Sequence, residues 1–101
     1  MHNRKKALDV LGSFIQAKLH AGDKDDDLAT AYWNSANYYE FDYRETKQPD
    51  SRVQAIHALR ETLKASPAYR LELLKDEDFA ELLKSDEGKK LIADFPGSDG
   101  R

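Results

Sequence analysis

Apolar side chains recur at steps of three and four residues along most of this chain, which is the spacing of one face of an α-helix. The first stripe consists of four aliphatic residues with two apolar neighbours: Leu8, Leu11, Ile15 and Leu19, flanked by Ala7 and Phe14. Gly22 follows where a left-handed cap residue would lie. The pattern predicts a first helix from about Arg4 to Ala21.

A second stripe predicts a helix from about Asp26 to Arg44. Its core positions are aromatic or small, with two further residues at the edge: Leu28, Tyr32, Ala36, Tyr39 and Tyr43, with Ala29 and Trp33 beside them. The acidic run Asp23–Asp27 lies at its start. Carboxylates there can accept hydrogen bonds from free N–H groups and face the positive end of the helix dipole.

The segment from Glu45 to Asp50 is polar and contains Pro49, so it is predicted to be a loop. Ser51 and Gln54 have the spacing of a capping box, which predicts that the third helix starts there and runs to about Ala65. Five residues form its expected buried face: Ala55, Ile56, Leu59, Thr62 and Leu63.

Three shorter helical segments are predicted after Ala65. Ser66 is the expected cap of the first, with Pro67 at the first helical position. The run Asp76–Asp78 is expected to begin the second, which carries Phe79, Leu82 and Leu83. Ser85, followed by Asp86 and Glu87, is expected to begin a last turn that carries Leu91, Ile92 and Phe95.

These segments predict an all-α protein, an irregular bundle of about five helices that are antiparallel where the loops are short. Alternating strand patterns are missing from the sequence. The 101-residue chain has room for one hydrophobic core, so we predict a single domain over residues 1–95 and a flexible tail over residues 96–101.

The amino-acid composition argues against several classes of function and of binding partner. The formal net charge is −3, from 16 Lys and Arg against 19 Asp and Glu, and the longest basic run is Arg4–Lys6, so we expect no nucleic-acid partner. The chain has no cysteine, which excludes disulfides and thiolate metal sites. No apolar stretch has the length of a signal segment or a membrane span, so we expect a cytoplasmic protein without a membrane partner.

Residues that could support chemistry are present but lack the required spacing. Asp23, Asp25 and Asp27 copy the opening of a calcium loop, yet its glycine and glutamate positions hold Leu28 and Asn34. The histidines, His2, His20 and His57, are scattered and show no zinc-ligand spacing. We therefore expect no cofactor, no metal and no enzyme activity, although a small enzyme or a metal-binding protein stays a minor alternative.

Aromatic residues are concentrated in the second helix, which holds six of the ten aromatic residues between positions 32 and 43. Tyr32, Trp33, Tyr39 and Tyr43 fall on or beside its core stripe at about 100° per residue. Tyr38 and Phe41 do not. Phe41 lies nearly opposite the stripe, beside Asn34. Either it packs under the first helix or the C-terminal helices, or it forms part of a surface that binds a partner.

The second and third helices together resemble a tetratricopeptide repeat, a stacked helix-turn-helix unit. The family pattern is Trp-x-x-Leu-Gly-x-x-Tyr, then Ala-x-x-x-Phe, then Pro. The corresponding residues here are Trp33, Ala36, Asn37 and Glu40 in the first part, then Ala55, Leu59 and Pro67. The first half keeps only the tryptophan, and the predicted loop is longer than the turn of the family.

The resemblance implies a protein that binds partners on the first helix of the pair. It assigns the partner-facing positions to four residues: Asn34, Tyr38, Phe41 and Asp42. We therefore predict a protein–protein interaction module that acts as an adaptor, regulator or inhibitor. The alternative is a structural homodimer that buries the same aromatic face. Because one repeat cannot form a deep groove alone, we expect either that the binding surface is a flat patch or that the chain docks onto a larger assembly or a copy of itself.

Overall fold

Helix-favouring sequence dominates the chain, and the computed structural model describes residues 4–22 and 25–96 as six α-helices with one 3₁₀ turn and no strand in those ranges. The predicted all-α class is confirmed. The helices are α1 (Arg4–Ala21), α2 (Asp26–Thr46), α3 (Pro49–Ala65), α4 (Tyr69–Lys75), α5 (Ala80–Lys84) and α6 (Asp86–Asp94), and the 3₁₀ turn is Glu77–Phe79.

Several helix ends lie where local capping signals predicted them. Gly22 follows α1 with a φ of +81°, a conformation that a residue without Cβ adopts readily. The Asp25 carboxylate accepts a hydrogen bond from the N–H of Leu28 at 3.0 Å and caps α2. Ser85 Oγ accepts from the N–H of Gly88 at 3.1 Å and caps α6. Asp23 and Lys24 lie outside the described residues.

The connection between α2 and α3 differs from the predicted loop. It consists only of Lys47 and Gln48, and Lys47 has a left-handed φ of 59°. Pro49 begins α3, because its fixed φ suits the first helical position and its missing N–H needs no partner there. The predicted capping box is wrong: Ser51 lies inside the helix, and its hydroxyl donates to the Asp42 carboxylate instead of capping α3.

The segments after α3 also begin differently from their predicted starts. Ser66 is the C-terminal cap of α3, and α4 starts at Tyr69 rather than at Pro67. Asp76 caps the next segment as predicted, since its Oδ1 accepts from the N–H of Asp78 at 2.8 Å. That segment is not one helix, because the 3₁₀ turn Glu77–Phe79 precedes α5.

The main core lies between the antiparallel helices α2 and α3 and is closed by the C-terminal segments. The pairing of Asp42 with Ser51 and of Glu40 with Arg52 shows the antiparallel register. The predicted buried face of α3 is confirmed, except that Ile56 is only half-buried. The core consists of small residues at the α2–α3 crossing and larger ones beyond it: Ala36, Ala55, Ala58, Leu59, Leu63, Leu73, Phe79, Leu82 and Leu91.

Helix α1 packs on the outside of α2, where a second, smaller core joins Ile15 to Leu28 and Ala31. The predicted stripe of α1 is therefore only partly buried: Ile15 is buried, whereas Leu19 and Phe14 are exposed. A helix that contacts its neighbours along one narrow strip leaves the sides of its apolar stripe in solvent.

The buried face of α2 differs from the predicted stripe because α1 and α3 cover it from two directions. The tyrosines Tyr32, Tyr39 and Tyr43 are only half-buried, whereas Glu40 is fully buried. Both oxygens of the Glu40 carboxylate accept hydrogen bonds from Arg52, at 2.9 and 2.8 Å. A buried carboxylate is stable only when it is paired in this way.

Candidate protein-interaction groove

An open groove of about 720 Å³ runs between α1 and α2. Its lining combines aliphatic residues of α1, polar and aromatic residues of α2, and one carboxylate from the 3₁₀ turn: Ala7, Val10, Leu11, Asn34, Asn37, Tyr38, Phe41 and Asp78. We call this surface the α1–α2 groove.

Helical geometry places the α2 residues of the groove together. Asn34, Tyr38 and Phe41 follow one another at steps of four and three residues, so their side chains project from one face over two turns. The opposite side of α2 packs against α3, so this face is left for α1. Because α1 is joined to α2 by a short connection and runs back along it, Val10 and Leu11 form the other wall.

Neighbouring parts of the chain cover Phe41 only in part. Its side chain is 43% exposed, and across the groove Val10 is 62% exposed. The Arg44 guanidinium lies 4.7 Å from the centre of the Phe41 ring, and its Nη2 is 3.7 Å from Asp78 Oδ1. Helix α1 therefore forms a wall beside Phe41, and one exposed surface of the ring is left open to solvent.

The four predicted partner-facing residues do not all lie in the groove. Asn34 is exposed and Tyr38 is half-buried, and both line the groove with Phe41. Asp42 does not line it, because its carboxylate is hydrogen-bonded to Ser51 at the α2–α3 contact. The structure thus brings three of the four residues together.

Sequence reasoning did not assign five of the lining residues to a site: Ala7, Val10, Leu11, Asn37 and Asp78. Val10 is the most informative, since it lies off the apolar stripe of α1 and could have been noticed for the same reason as Phe41. Asn37 donates from Nδ2 to the Trp33 carbonyl oxygen at 3.3 Å. No helical pattern predicts Asp78, because its position depends on how the C-terminal segments fold back.

The groove offers apolar contact area and neutral hydrogen-bonding groups rather than reactive chemistry. Asp78 is the one carboxylate that the described residues contribute to its lining, and it faces Arg44. Of the histidines, His20 is exposed and His57 lines a separate cleft together with Ser35, Tyr32 and Tyr39 but no carboxylate, while His2 lies outside the described residues. The Ser35 hydroxyl in that cleft donates to the Ala31 carbonyl oxygen.

Residues 4–22 and 25–96 contain neither a cluster of metal-binding side chains nor a membrane-spanning helix. No group of three or more histidine or acidic side chains in these ranges is arranged to hold a metal ion. Among the same residues, no helix combines the length and the apolar character that crossing a lipid bilayer requires.

Comparison of the chain with protein-family models, with curated proteins and with solved structures found no match.

Proposed function

We propose that this protein is a protein–protein interaction module that binds a partner through the α1–α2 groove. The exposure of Phe41 beside Val10 carries the proposal. Two large apolar side chains that face one open groove are typical of a surface that a partner covers.

The chemistry of the groove indicates what kind of partner segment fits. Val10, Leu11 and Phe41 offer contact area to an apolar anchor side chain, and Asn34 offers both a donor and an acceptor at the rim. Arg44 and Asp78 are engaged with each other, so little net charge is left in the groove. We therefore propose a partner segment with apolar anchors and a largely uncharged contact face.

The resemblance to a tetratricopeptide repeat supports the same face of α2, since the family binds partners on the first helix of its pair. The two-residue connection between α2 and α3 agrees with the tight turn of that family. Asp42 keeps a structural role at the α2–α3 contact in this proposal. The contact residues are thus Asn34, Tyr38 and Phe41 with Val10.

The test is affinity capture from a native lysate of the source cells, with the wild-type chain and a double variant, Tyr38→Ala with Phe41→Ala, as baits. We expect the double variant to keep its helical circular dichroism spectrum, because both side chains lie outside the main core. We expect it to lose proteins that the wild type retains, since truncating an aromatic anchor at the centre of an interface weakens binding by roughly tenfold or more.

A matched control removes two exposed apolar side chains elsewhere. Val53 on α3 and Leu74 on α4 are 58% and 47% exposed, so the variant Val53→Ala with Leu74→Ala has a similar change in exposed apolar surface. It should retain every partner. Equal capture by the wild type and the groove variant would contradict the proposal, as would unfolding of the groove variant, because the two rings would then be core residues.

The homodimer alternative predicts that a second copy covers the same groove. Sedimentation equilibrium up to high micromolar concentration separates the two functions. A monomer at all concentrations rules the dimer out, whereas a dimer that dissociates in the Tyr38→Ala and Phe41→Ala variant would replace the adaptor function with self-assembly.

A further inference from the structure

A second cleft, of about 570 Å³, lies between the start of α2 and the helix α4, outside the α1–α2 groove. Two aromatic rings form part of its wall: Trp33 from α2 and Tyr69 from α4, with ring centres 5.2 Å apart and planes at 36°. We call it the Trp33 cleft. The function proposed above does not use it.

The contacts around the two rings hold them in place. Trp33 packs edge-on against the buried Phe79, with ring centres 5.1 Å apart. The Tyr69 hydroxyl forms a hydrogen bond of 2.7 Å with Thr30 Oγ1. Since these contacts already fix the rings, a ligand that stacks on this wall would lose little side-chain freedom on binding.

The charge of the lining residues determines whether the cleft favours a cationic or an anionic ligand. Three carboxylates line the Trp33 cleft, from Asp26, Glu72 and Asp76, and among residues 4–22 and 25–96 no lysine, arginine or histidine lines it. Neither Asp26 nor Glu72 forms an ion pair with a described residue. Asp76 uses Oδ1 to accept from the N–H of Asp78. The faces of aromatic rings also attract cations, so the wall and the carboxylates favour the same kind of ligand.

We infer that the Trp33 cleft binds a guanidinium group, the side chain of an arginine in a peptide or protein. A guanidinium is planar and weakly hydrated, so it can stack on Trp33 or Tyr69 while its N–H groups donate to the carboxylates. An ammonium group carries the same charge but has no flat face for stacking. Phosphate-bearing ligands are repelled by the three carboxylates.

The single tryptophan of the chain is Trp33, so its fluorescence reports directly on this cleft. The experiment titrates the full chain at low ionic strength with three blocked tripeptides, Gly-X-Gly, in which X is arginine, lysine or citrulline. Citrulline has the shape of arginine without the charge. We expect a saturable change in emission with the arginine peptide, weaker binding of the lysine peptide, and binding of the citrulline peptide reduced by roughly tenfold or more.

Two variants with the same change in net charge serve as a matched pair. Glu72→Gln removes one carboxylate from the cleft, whereas Glu81→Gln removes an exposed carboxylate on α5 that does not line it. We expect Glu72→Gln to weaken binding of the arginine peptide roughly tenfold and Glu81→Gln to leave it unchanged.

Several results would overturn the inference. They are equal binding of the arginine and citrulline peptides, tighter binding of the lysine peptide, equal effects of the two variants, or no response of Trp33 to the arginine peptide. The variant Tyr38→Ala with Phe41→Ala should bind the arginine peptide like the wild type. If the α1–α2 groove proves not to bind a partner, the arginine-peptide titration is therefore unaffected. If the Trp33 cleft does not bind the arginine peptide, the capture experiment on the groove is equally unaffected.

Discussion

At the scale of single residues, the ion pair between Glu40 and Arg52 joins a buried carboxylate to a guanidinium that donates to both of its oxygens. The Glu40 side chain is 1% exposed, and the Arg52 guanidinium also stacks 4.0 Å from the Tyr43 ring centre. Arg52→Ala would leave a buried carboxylate without its partner. We expect it to lower the free energy of unfolding by about 3 kcal/mol, measured by urea unfolding followed by circular dichroism.

The pair Arg60 and Asp94 provides the control for this prediction. Arg60 Nη1 is 2.8 Å from Asp94 Oδ2 and its guanidinium lies near the Phe95 ring, but both side chains are partly in solvent. Arg60→Ala should therefore cost much less than Arg52→Ala. Replacing both buried partners, Glu40→Leu with Arg52→Met, should recover part of the lost stability. If Arg52→Ala and Arg60→Ala lower the free energy of unfolding equally, the burial of the Glu40 carboxylate does not add to the cost of removing its partner.

At the scale of elements, replacing two helical glycines by alanine should change the stability of the protein in opposite directions. A Cβ on Gly88 would lie 2.1 Å from the Leu82 carbonyl oxygen and 2.7 Å from Leu83 Cα, so the approach of α6 to α5 requires glycine there. At Gly12 in α1, no atom beyond the adjacent residues and the nearby backbone of the same helix lies within 4 Å of such a Cβ. We expect Gly88→Ala to destabilise the protein by at least about 2 kcal/mol and Gly12→Ala to stabilise it by roughly 0.5 to 1 kcal/mol.

The same urea unfolding measurement checks both glycine variants. The gain at Gly12 has a conformational cause, since alanine loses less backbone entropy than glycine in a helix interior. A Gly88→Ala variant as stable as the wild type would show that the α5–α6 contact can open without cost. A destabilised Gly12→Ala variant would show that this position of α1 is packed against another part of the chain.

At the scale of the whole molecule, stability should fall in both strong acid and strong base. The hydrogen bond from Lys18 lowers the pKa of Asp25 below its ordinary 3.8, helped by the N–H of Leu28, and the hydrogen bond from Arg60 lowers the pKa of Asp94. Lowered carboxyl pKa values stabilise the fold above about pH 4 and cease to do so as the pH falls through the folded values.

The basic limit involves Tyr32. Burial, together with the nearby Glu61 carboxylate, raises the pKa of the Tyr32 hydroxyl above its ordinary 10.0. A raised pKa stabilises the fold below pH 10 and ceases to do so as the pH rises through the folded value. We expect unfolding free energies to decline below about pH 4 and above about pH 10. Asp25→Asn or Asp94→Asn should make the unfolding free energy fall less steeply below about pH 4. Tyr32→Phe should make it fall less steeply above about pH 10. If these variants show the same pH dependence as the wild type, the named residues do not cause it.

Three of the residues that α2 contributes to the groove could be predicted from the sequence because helical geometry is local. Asn34, Tyr38 and Phe41 share one face of α2 whatever surrounds the helix, and the three do line one groove. Asp42 belongs to the same broad face, yet its contact with Ser51 depends on where α3 starts. A helical-wheel projection of α2 alone contains no information about the position of α3.

The sequence by itself determined the helical class and most boundaries of α1, α2 and α6, since periodicity and caps such as Asp25 and Ser85 act within a few residues. Only the tertiary structure decided the burial of Glu40, the two-residue connection at Lys47 and Gln48, and the openness of the groove beside Phe41. These features depend on the approach of helices that are distant in sequence. Such approaches follow from packing over the whole core rather than from the preference of any one segment.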